Sequence, residues 1–429
     1  LTRVDRQGPQ GMAHPQEVSP DISASDDVGG TAFHKRSNSL LAGSARGLRA
    51  LGVIAATLLG CQALAASTAP QSPVLALLPD QLSGARSTFL KGFELGLADA
   101  RDCGVAPVRV DWQSIGADQD LIIRPGSQTA LLMAPFAADL RTFSRIAQEQ
   151  KLGVLLPYQR GDSLKSLAEL DPEGRLHSMV PPLQVDLTQL ASDTLEQGWR
   201  RVMVVADPSD RSADQAQDFV EAFEGLGGSV ESFEASLVQL VSPRDQGALD
   251  QLLKDVAIKG PDALVLATAA DGDLASRLAS AQATGERDHR SATRPWVWML
   301  PAHRVRSLEI RPWNQLVLDQ SAHGPGWTAF SKRFVDQHDQ PPDLVAASGF
   351  DSARMLTLAS LAPAPVSSEG TRDPLGWLDP DQEPTSMCDA VKARLDGRSV
   401  RLQGAASDLS RRPGQPPSGA AVTRLMSGR

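Results

Sequence analysis

The sequence predicts an α/β protein built from two doubly wound, parallel-sheet domains of Rossmann-like type. Three observations carry that reading. Short apolar runs, of the length expected for strands buried on both faces, alternate with stretches whose apolar residues recur every three or four positions. The alternation begins a second time near Pro182. At 429 residues and 41% apolar content, the chain can furnish two ordinary domains with sizeable cores.

The first set opens with the apolar run 74–78, stopped by Pro79 and Asp80 and followed by a Ser83-Gly84 turn. Phe89, Phe93, Leu97 and Ala100 then mark one face of a helix, with Lys91, Glu94 and Asp99 outside it. Residues 108–112 alternate as a second strand, and 130–133 form a third, closed by Ala134-Pro135-Phe136. A helix is expected over 140–150, with Leu140, Phe143, Ile146 and Ala147 on one side. Gly153 breaks into a fourth strand, 154–156, ended by Pro157-Tyr158.

The second set starts with a helix over 187–198, carrying Leu187, Leu190, Ala191, Thr194 and Leu195 on one face. A strand over 202–206 ends at Asp207-Pro208-Ser209, and a helix over 213–226 ends at Gly227-Gly228. A short strand (230–233), a helix (247–258), a buried strand (263–267), a helix (274–284) and an apolar strand (296–300) complete it. Trp296 and Trp298 alternate along that last strand and are expected in a core or hinge. The Pro- and Asp-rich stretch 362–384 reads as a loop insertion.

Particular residues carry a resemblance. The run VLALLP, the Ser-Gly turn and the pattern Gly92-Phe93-x-x-Gly96-x-x-x-Ala100 resemble the opening of a periplasmic binding protein of the Leu/Ile/Val-binding type (type I). That group includes the substrate-binding receptors of amino-acid ABC transporters, and lipoprotein activators of peptidoglycan synthases (penicillin-binding-protein activators) resemble the same fold. Residues 199–205, Gly227-Gly228-Ser229-Val230 and Pro261-Asp262-Ala263-Leu264-Val265 are similar to the family's second domain in order and spacing. Phe330, Phe334 and His338, then Gly349-Phe350-Asp351, resemble its return helices, and residues 402–407 the turn and strand that close the first domain. The resemblance spans about residues 74–425 and implies a multi-strand hinge between the domains. It also departs from the pattern. Ala134, Phe136, Ala137 and Ala138 stand where a Gly-Pro followed by a serine ligand contact is usual.

The expected organisation follows. Residues 1–45 lack apolar periodicity and read as a disordered extension; Leu1 in place of Met reads as a fragment or an alternative start. Residues 46–65 read as a secretion signal, because Arg46 and Arg49 flank about twelve apolar residues where a bilayer span needs roughly 20. Leu58-Leu59-Gly60-Cys61 resembles a lipobox, which implies lipidation at Cys61 and a tether to the membrane; Ala63-Leu64-Ala65 offers ordinary cleavage and a free periplasmic protein instead. Residues 66–73 would be a linker, 74–181 the first part of domain one, 182–324 domain two, and 325–429 a return segment completing the hinge and domain one.

A formal charge of −9 speaks against a nucleic-acid partner. Aromatic content of 4%, with one tyrosine, disfavours a large carbohydrate groove. Glycine-rich nucleotide loops, a nucleophile elbow and a Ser-x-x-Lys motif are absent, and no histidine pair has helical metal spacing. The reading is therefore neither an enzyme nor a cofactor or metal protein.

Binding chemistry is expected at the turns after the strands, where backbone N–H groups and helix N-termini collect. Ser83 and Gly84 would contact an anion or serve as an ordinary turn and cap. Tyr158 would stack on or hydrogen-bond a ligand, or pack. Asp207 and Ser209 read first as helix caps and second as ligand contacts. Thr268 and Asp271 follow the 263–267 strand. There the resemblance implies a carboxylate for a ligand ammonium, with Asp271 or Asp273 as a helix cap in the competing reading. The return segment of this fold brings Cys388 back towards Cys103, so an exported protein could bond them; two free thiols are the alternative.

The function implied is the receptor of an ABC-type importer, closing on a small polar ligand (an amino acid, an amide or a related compound) and recognised by a permease. The alternative is a lipoprotein regulator of peptidoglycan synthesis that uses the same fold as an interaction platform for a synthase.

Overall fold

The computed structural model describes residues 74–79, 83–115, 129–208, 210–232, 236–270, 272–287, 293–301, 311–361, 374–410 and 412–428. The expectations for residues 1–73, Cys61 among them, fall outside the described residues, as do Ser209 and Asp271.

Lobe one is built from β1 (Val74–Pro79), α1 (Ser83–Asp102), β2 (Val110–Ile115), β3 (Leu131–Met133), α2 (Leu140–Gln150), β4 (Gly153–Leu156), α3 (Leu167–Leu170) and β5 (Leu176–Ser178). Its sheet runs β2-β1-β3-β4-β5, all parallel. The reason is legible in β1. Val74, Ala76 and Leu78 enter one core with Phe89 and Phe93 of α1. Leu75 and Leu77 enter the opposite core with Leu140 and Phe143 of α2. A strand apolar at every position has two faces to bury, and helices cover both.

Lobe two repeats the principle with α4 (Leu183–Glu196), β6 (Arg201–Ala206), α5 (Asp210–Gly225), β7 (Ser229–Val230), β8 (Val238–Leu240), α6 (Gln246–Lys259), β9 (Ala263–Ala267), α7 (Asp273–Arg287), β10 (Trp296–Pro301) and β11 (Gln315–His323). Val202, Val204 and Ala206 face α4 and α5, whereas Met203 and Val205 face α6 and α7. Trp296 and Trp298 are buried in the second of these cores. Their indole N–H groups donate to Gln282 at 3.2 Å and Gln315 at 3.0 Å.

The return segment holds α8 (Trp327–His338), α9 (Leu344–Leu361), β12 (Pro384–Thr385), α10 (Met387–Leu395), β13 (Arg401–Leu402) and β14 (Ala420–Met426). Met355 and Leu356 of α9 and Val391 of α10 lie in the core of lobe one. The last strand goes elsewhere. Residues 325–429 are expected to complete the hinge and domain one, yet β14 pairs antiparallel with β11, on the far edge of the second sheet, whose order is β14-β11-β10-β9-β6-β7 with β8 beside β6. The hydrogen-bonding edge of β11 needs a partner, and β14 supplies one. Its alternation of exposed and half-exposed residues leaves little apolar signal.

Two local expectations are corrected. Ser83 and Gly84 are the first two residues of α1 rather than a turn before it. The 230–233 strand is only Ser229–Val230, and β8 continues the pairing along β6.

Helix α1 packs directly on α9. A Cβ at Gly92 would lie 1.8 Å from the Ala346 carbonyl oxygen, one at Gly96 2.3 Å from that of Phe350, and one at Gly349 2.2 Å from that of Phe89. The Gly-x-x-x-Gly spacing of α1 is thus a contact of backbone on backbone. A disulfide joins Cys103, just past the end of α1, to Cys388 in α10, with Cα atoms 4.9 Å apart.

Candidate functional site

The carboxyl ends of both parallel sheets carry the turns expected to bind. In lobe one, Gly84 lies exposed in the first turn of α1, with open space where a Cβ would be. After β3 the chain turns through Ala137, which adopts a left-handed φ of 52° and donates its N–H to the Tyr158 carbonyl at 3.1 Å. Tyr158 is half-buried, its ring edge-on to Phe136 with centroids 6.1 Å apart. The loops after β3 and β4 are therefore one unit.

In lobe two, Asp207 and Thr268 follow the paired strands β6 and β9, and the Asp207 N–H donates to the Ala267 carbonyl at 3.4 Å. The Asp207 carboxylate accepts from the Ser212 hydroxyl, in the first turn of α5, at 3.1 Å. Thr268 is buried. The structure thus brings Asp207 beside Thr268, and the Phe136 turn beside Tyr158. Asp271 and Ser209 lie outside the described residues, and so does the Ser83 side chain.

The lobes are joined where the chain crosses between them: at 179–182, at Gly324 and between β13 and β14. Two buried carboxylates organise these crossings. Asp186, in the first turn of α4, accepts from an Arg160 guanidinium nitrogen at 3.0 Å and from the Ala322 N–H of β11 at 2.6 Å. Arg160, two residues after Tyr158, also donates from Nε to the Pro181 carbonyl at 2.9 Å. One ion pair therefore ties the loop after β4 to two crossings. Asp351 of α9 accepts the Ala405 and Ala406 N–H groups, both at 2.7 Å, and pairs with Arg354 at 3.4 Å. The Ala405 carbonyl in turn accepts from Gly324 N–H at 2.9 Å, so Asp351 holds the turn that holds the second crossing.

Burial pushes the Asp351 carboxyl up to about 6, against the opposing pull of Arg354 and of the two backbone N–H groups. Burial likewise lowers the pKa of His323, the last residue of β11, whose ring stacks on Trp327 at 5.1 Å. Away from the hinge, Lys165 of lobe one reaches Asp218 of α5 at 3.3 Å and Asp162 at 3.0 Å. Burial and the nearby Asp162 raise the Asp218 pKa, while the hydrogen bond that Lys165 donates to Asp162 raises that of Lys165.

Arg160 and Asp186 were not among the residues anticipated, though a signal was there. Asp186, Leu190 and Thr194 recur at helical spacing on a buried face, and a carboxylate on such a face calls for a cation.

No family model matches the chain. A search of curated proteins likewise finds no match. Among solved structures, a Rhodospirillum rubrum protein described as a branched-chain amino acid ABC transporter is similar over 83% of this chain and 97% of its own, at 18% identity and a TM-score of 0.54. The fold is that of the type I periplasmic binding proteins. A branched-chain amino acid ABC transporter periplasmic ligand-binding protein from Burkholderia xenovorans LB400 is similar over 82% of this chain and 89% of its own, at 15% identity and a TM-score of 0.51. An ABC transporter solute-binding protein from R. palustris in complex with benzoate covers 83% and 93%, at 13% identity and a TM-score of 0.50. The turns at Gly84, Tyr158, Asp207 and Thr268 lie at carboxyl ends of the strands of the two parallel sheets.

Proposed function

We propose that this chain is an exported solute-binding receptor of an ABC-type importer, which closes its lobes around a small ligand and is read in that state by a permease. The observation that carries the reading is the hinge. Three chain crossings join two doubly wound lobes, and the Arg160–Asp186 pair links the loop bearing Tyr158 to two of them. A ligand held more tightly by the closed than by the open arrangement shifts the population towards closure. Gly84, Tyr158, Asp207 and Thr268, with Ser83, Ser209 and Asp271, are the residues assigned to the cleft.

The ligand class proposed is a small polar molecule, an amino acid or amide in the first instance. Phe136 beside Tyr158, where a hydroxyl is usual, extends it to aromatic carboxylates such as the benzoate bound by the R. palustris protein. The protein would reside in the periplasm, tethered through a lipidated Cys61 or released after Ala65. Binding rather than catalysis is its proposed role, without cofactor. No observation favours the alternative of a peptidoglycan-synthesis regulator.

A thermal-shift panel of amino acids, amides, short peptides and aromatic carboxylates tests this. A ligand at a hundred times its Kd stabilises the native state by about 2.7 kcal/mol, a shift of several degrees. A hit weakened at least tenfold in Tyr158→Ala or Thr268→Ala supports the cleft. Silence across the panel, or a hit indifferent to both substitutions, contradicts it.

A further inference from the structure

Two ion pairs join lobe one to lobe two. Arg160–Asp186 lies at the chain crossings, where both partners also bond backbone, so it holds the hinge itself. Lys165–Asp218 lies on other elements. Lys165 belongs to the short 3-10 helix Asp162–Ser166, beyond the loop after β4, and Asp218 to the middle of α5, beyond β6. The chain between these two elements runs through the crossing at 179–182, so the angle between the lobes sets how far apart they stand.

The charges around Lys165 are unbalanced. Its ammonium reaches Asp162 of its own lobe at 3.0 Å and Asp218 of the other at 3.3 Å. Burial, then Asp162 and more weakly Glu221, push the Asp218 pKa up. One cation therefore stands between carboxylates of opposite lobes. With it, the facing surfaces attract; without it, Asp162 faces Asp218 and Glu221 as like charges. The Asp218 side chain is only 14% exposed and fixed on α5, whereas that of Lys165 is 52% exposed and swings readily into water.

We propose that Lys165 is a latch between the lobes, a counter-ion whose pairing with Asp218 draws the cleft shut and whose loss leaves the lobes repelling each other. A pair this exposed shifts the ratio of closed to open molecules by up to about fivefold. It tunes closure and leaves the ligand to decide the state. For its effect on affinity the latch rests on the receptor reading: a ligand that binds closed molecules would bind up to about fivefold more weakly once the latch is removed.

Energy transfer between dyes on Arg145 of α2 and Lys254 of α6, both exposed, reads the separation of the lobes in the purified chain without ligand. Lys165→Glu should separate the lobes most, Lys165→Gln less and Asp218→Asn least, and the exchange K165E/D218K should restore the wild-type value. Raising salt from about 0.01 M to about 1 M screens attraction and repulsion alike. It should therefore open the wild type and draw the Lys165→Glu variant together. The latch is overturned if Lys165→Glu leaves the separation unchanged, if salt moves both proteins in the same direction, or if the exchange stays as open as Lys165→Glu. A ligand that closes wild type and Lys165→Glu with equal affinity upholds the receptor and removes the latch. Charge-dependent separation without ligand upholds the latch even where no solute binds.

Discussion

Asp351 is wholly buried, and its carboxyl is pushed up to about 6 from an ordinary 3.8. Between those values the native state holds a proton that the unfolded chain has released, so this residue's contribution to stability is full below about 4 and is lost as the pH rises through about 6. The difference in unfolding free energy between the wild type and Asp351→Asn should therefore fall by on the order of 2–3 kcal/mol between pH 4 and pH 7, measured by urea denaturation at each pH. A flat difference would contradict the assignment. Asp186, also buried, pairs with Arg160. Arg160→Met would leave Asp186 with the Ala322 N–H as its remaining partner, which should cost about 3–5 kcal/mol, whereas Asp186→Asn keeps an oxygen for that N–H and should cost less. The residue scale is where the sequence was least informative. Asp351 lay within a motif that could be noticed, but the two N–H groups it accepts are 54 and 55 residues further on, and no local pattern announces them.

Among the elements, α1 and α9 show why glycine spacing mattered. Gly92→Ala or Gly349→Ala would drive a methyl into a carbonyl of the facing helix, and helices in such contact separate only by repacking the lobe-one core. A loss of about 1–3 kcal/mol or more is expected for each, read from the midpoint of chemical denaturation, while Gly84→Ala, in open space, should change stability by a few tenths. The Cys103–Cys388 bond closes a chain separation of 285 residues. Replacing both cysteines with serine should cost about 2–5 kcal/mol, and the same loss should appear in wild type on reduction. Elements with strong periodicity were legible almost to the residue. The 140–150 helix and the 263–267 strand coincide with α2 and β9. Several elements were missed: α3, β5, β8, β12, α10 and β14, which are short or weakly apolar, and the longer β11.

At the scale of the whole molecule, two lobes are joined at three chain crossings and are proposed to change their relation there when a ligand binds. The Lys165–Asp218 pair spans from lobe one to lobe two with Lys165 half exposed, so Lys165→Ala should alter stability by less than about 1 kcal/mol. Its readout is the separation of the lobes, measured between fluorophores placed one on each. The two-lobe architecture was readable from the repeated alternation of strand and helix, and from motifs in family order. The assignment of the final strand to lobe two was not, since nothing in residues 420–426 distinguishes one sheet edge from another. The turns after the strands were legible, and their service as a binding cleft is the proposal made for them. The hinge ion pair was not read from the sequence, because it joins residues 26 positions apart on different lobes.

Small-angle X-ray scattering tests the central claim most directly, with the ligand found in the thermal-shift panel titrated into the purified protein. Closure predicts a saturable fall in the radius of gyration whose midpoint matches the binding constant, and a smaller or absent fall in the Arg160→Met variant at a temperature where it remains folded. A ligand that binds in the cleft and leaves the scattering of the wild type unchanged would contradict closure as the way this protein responds to its solute.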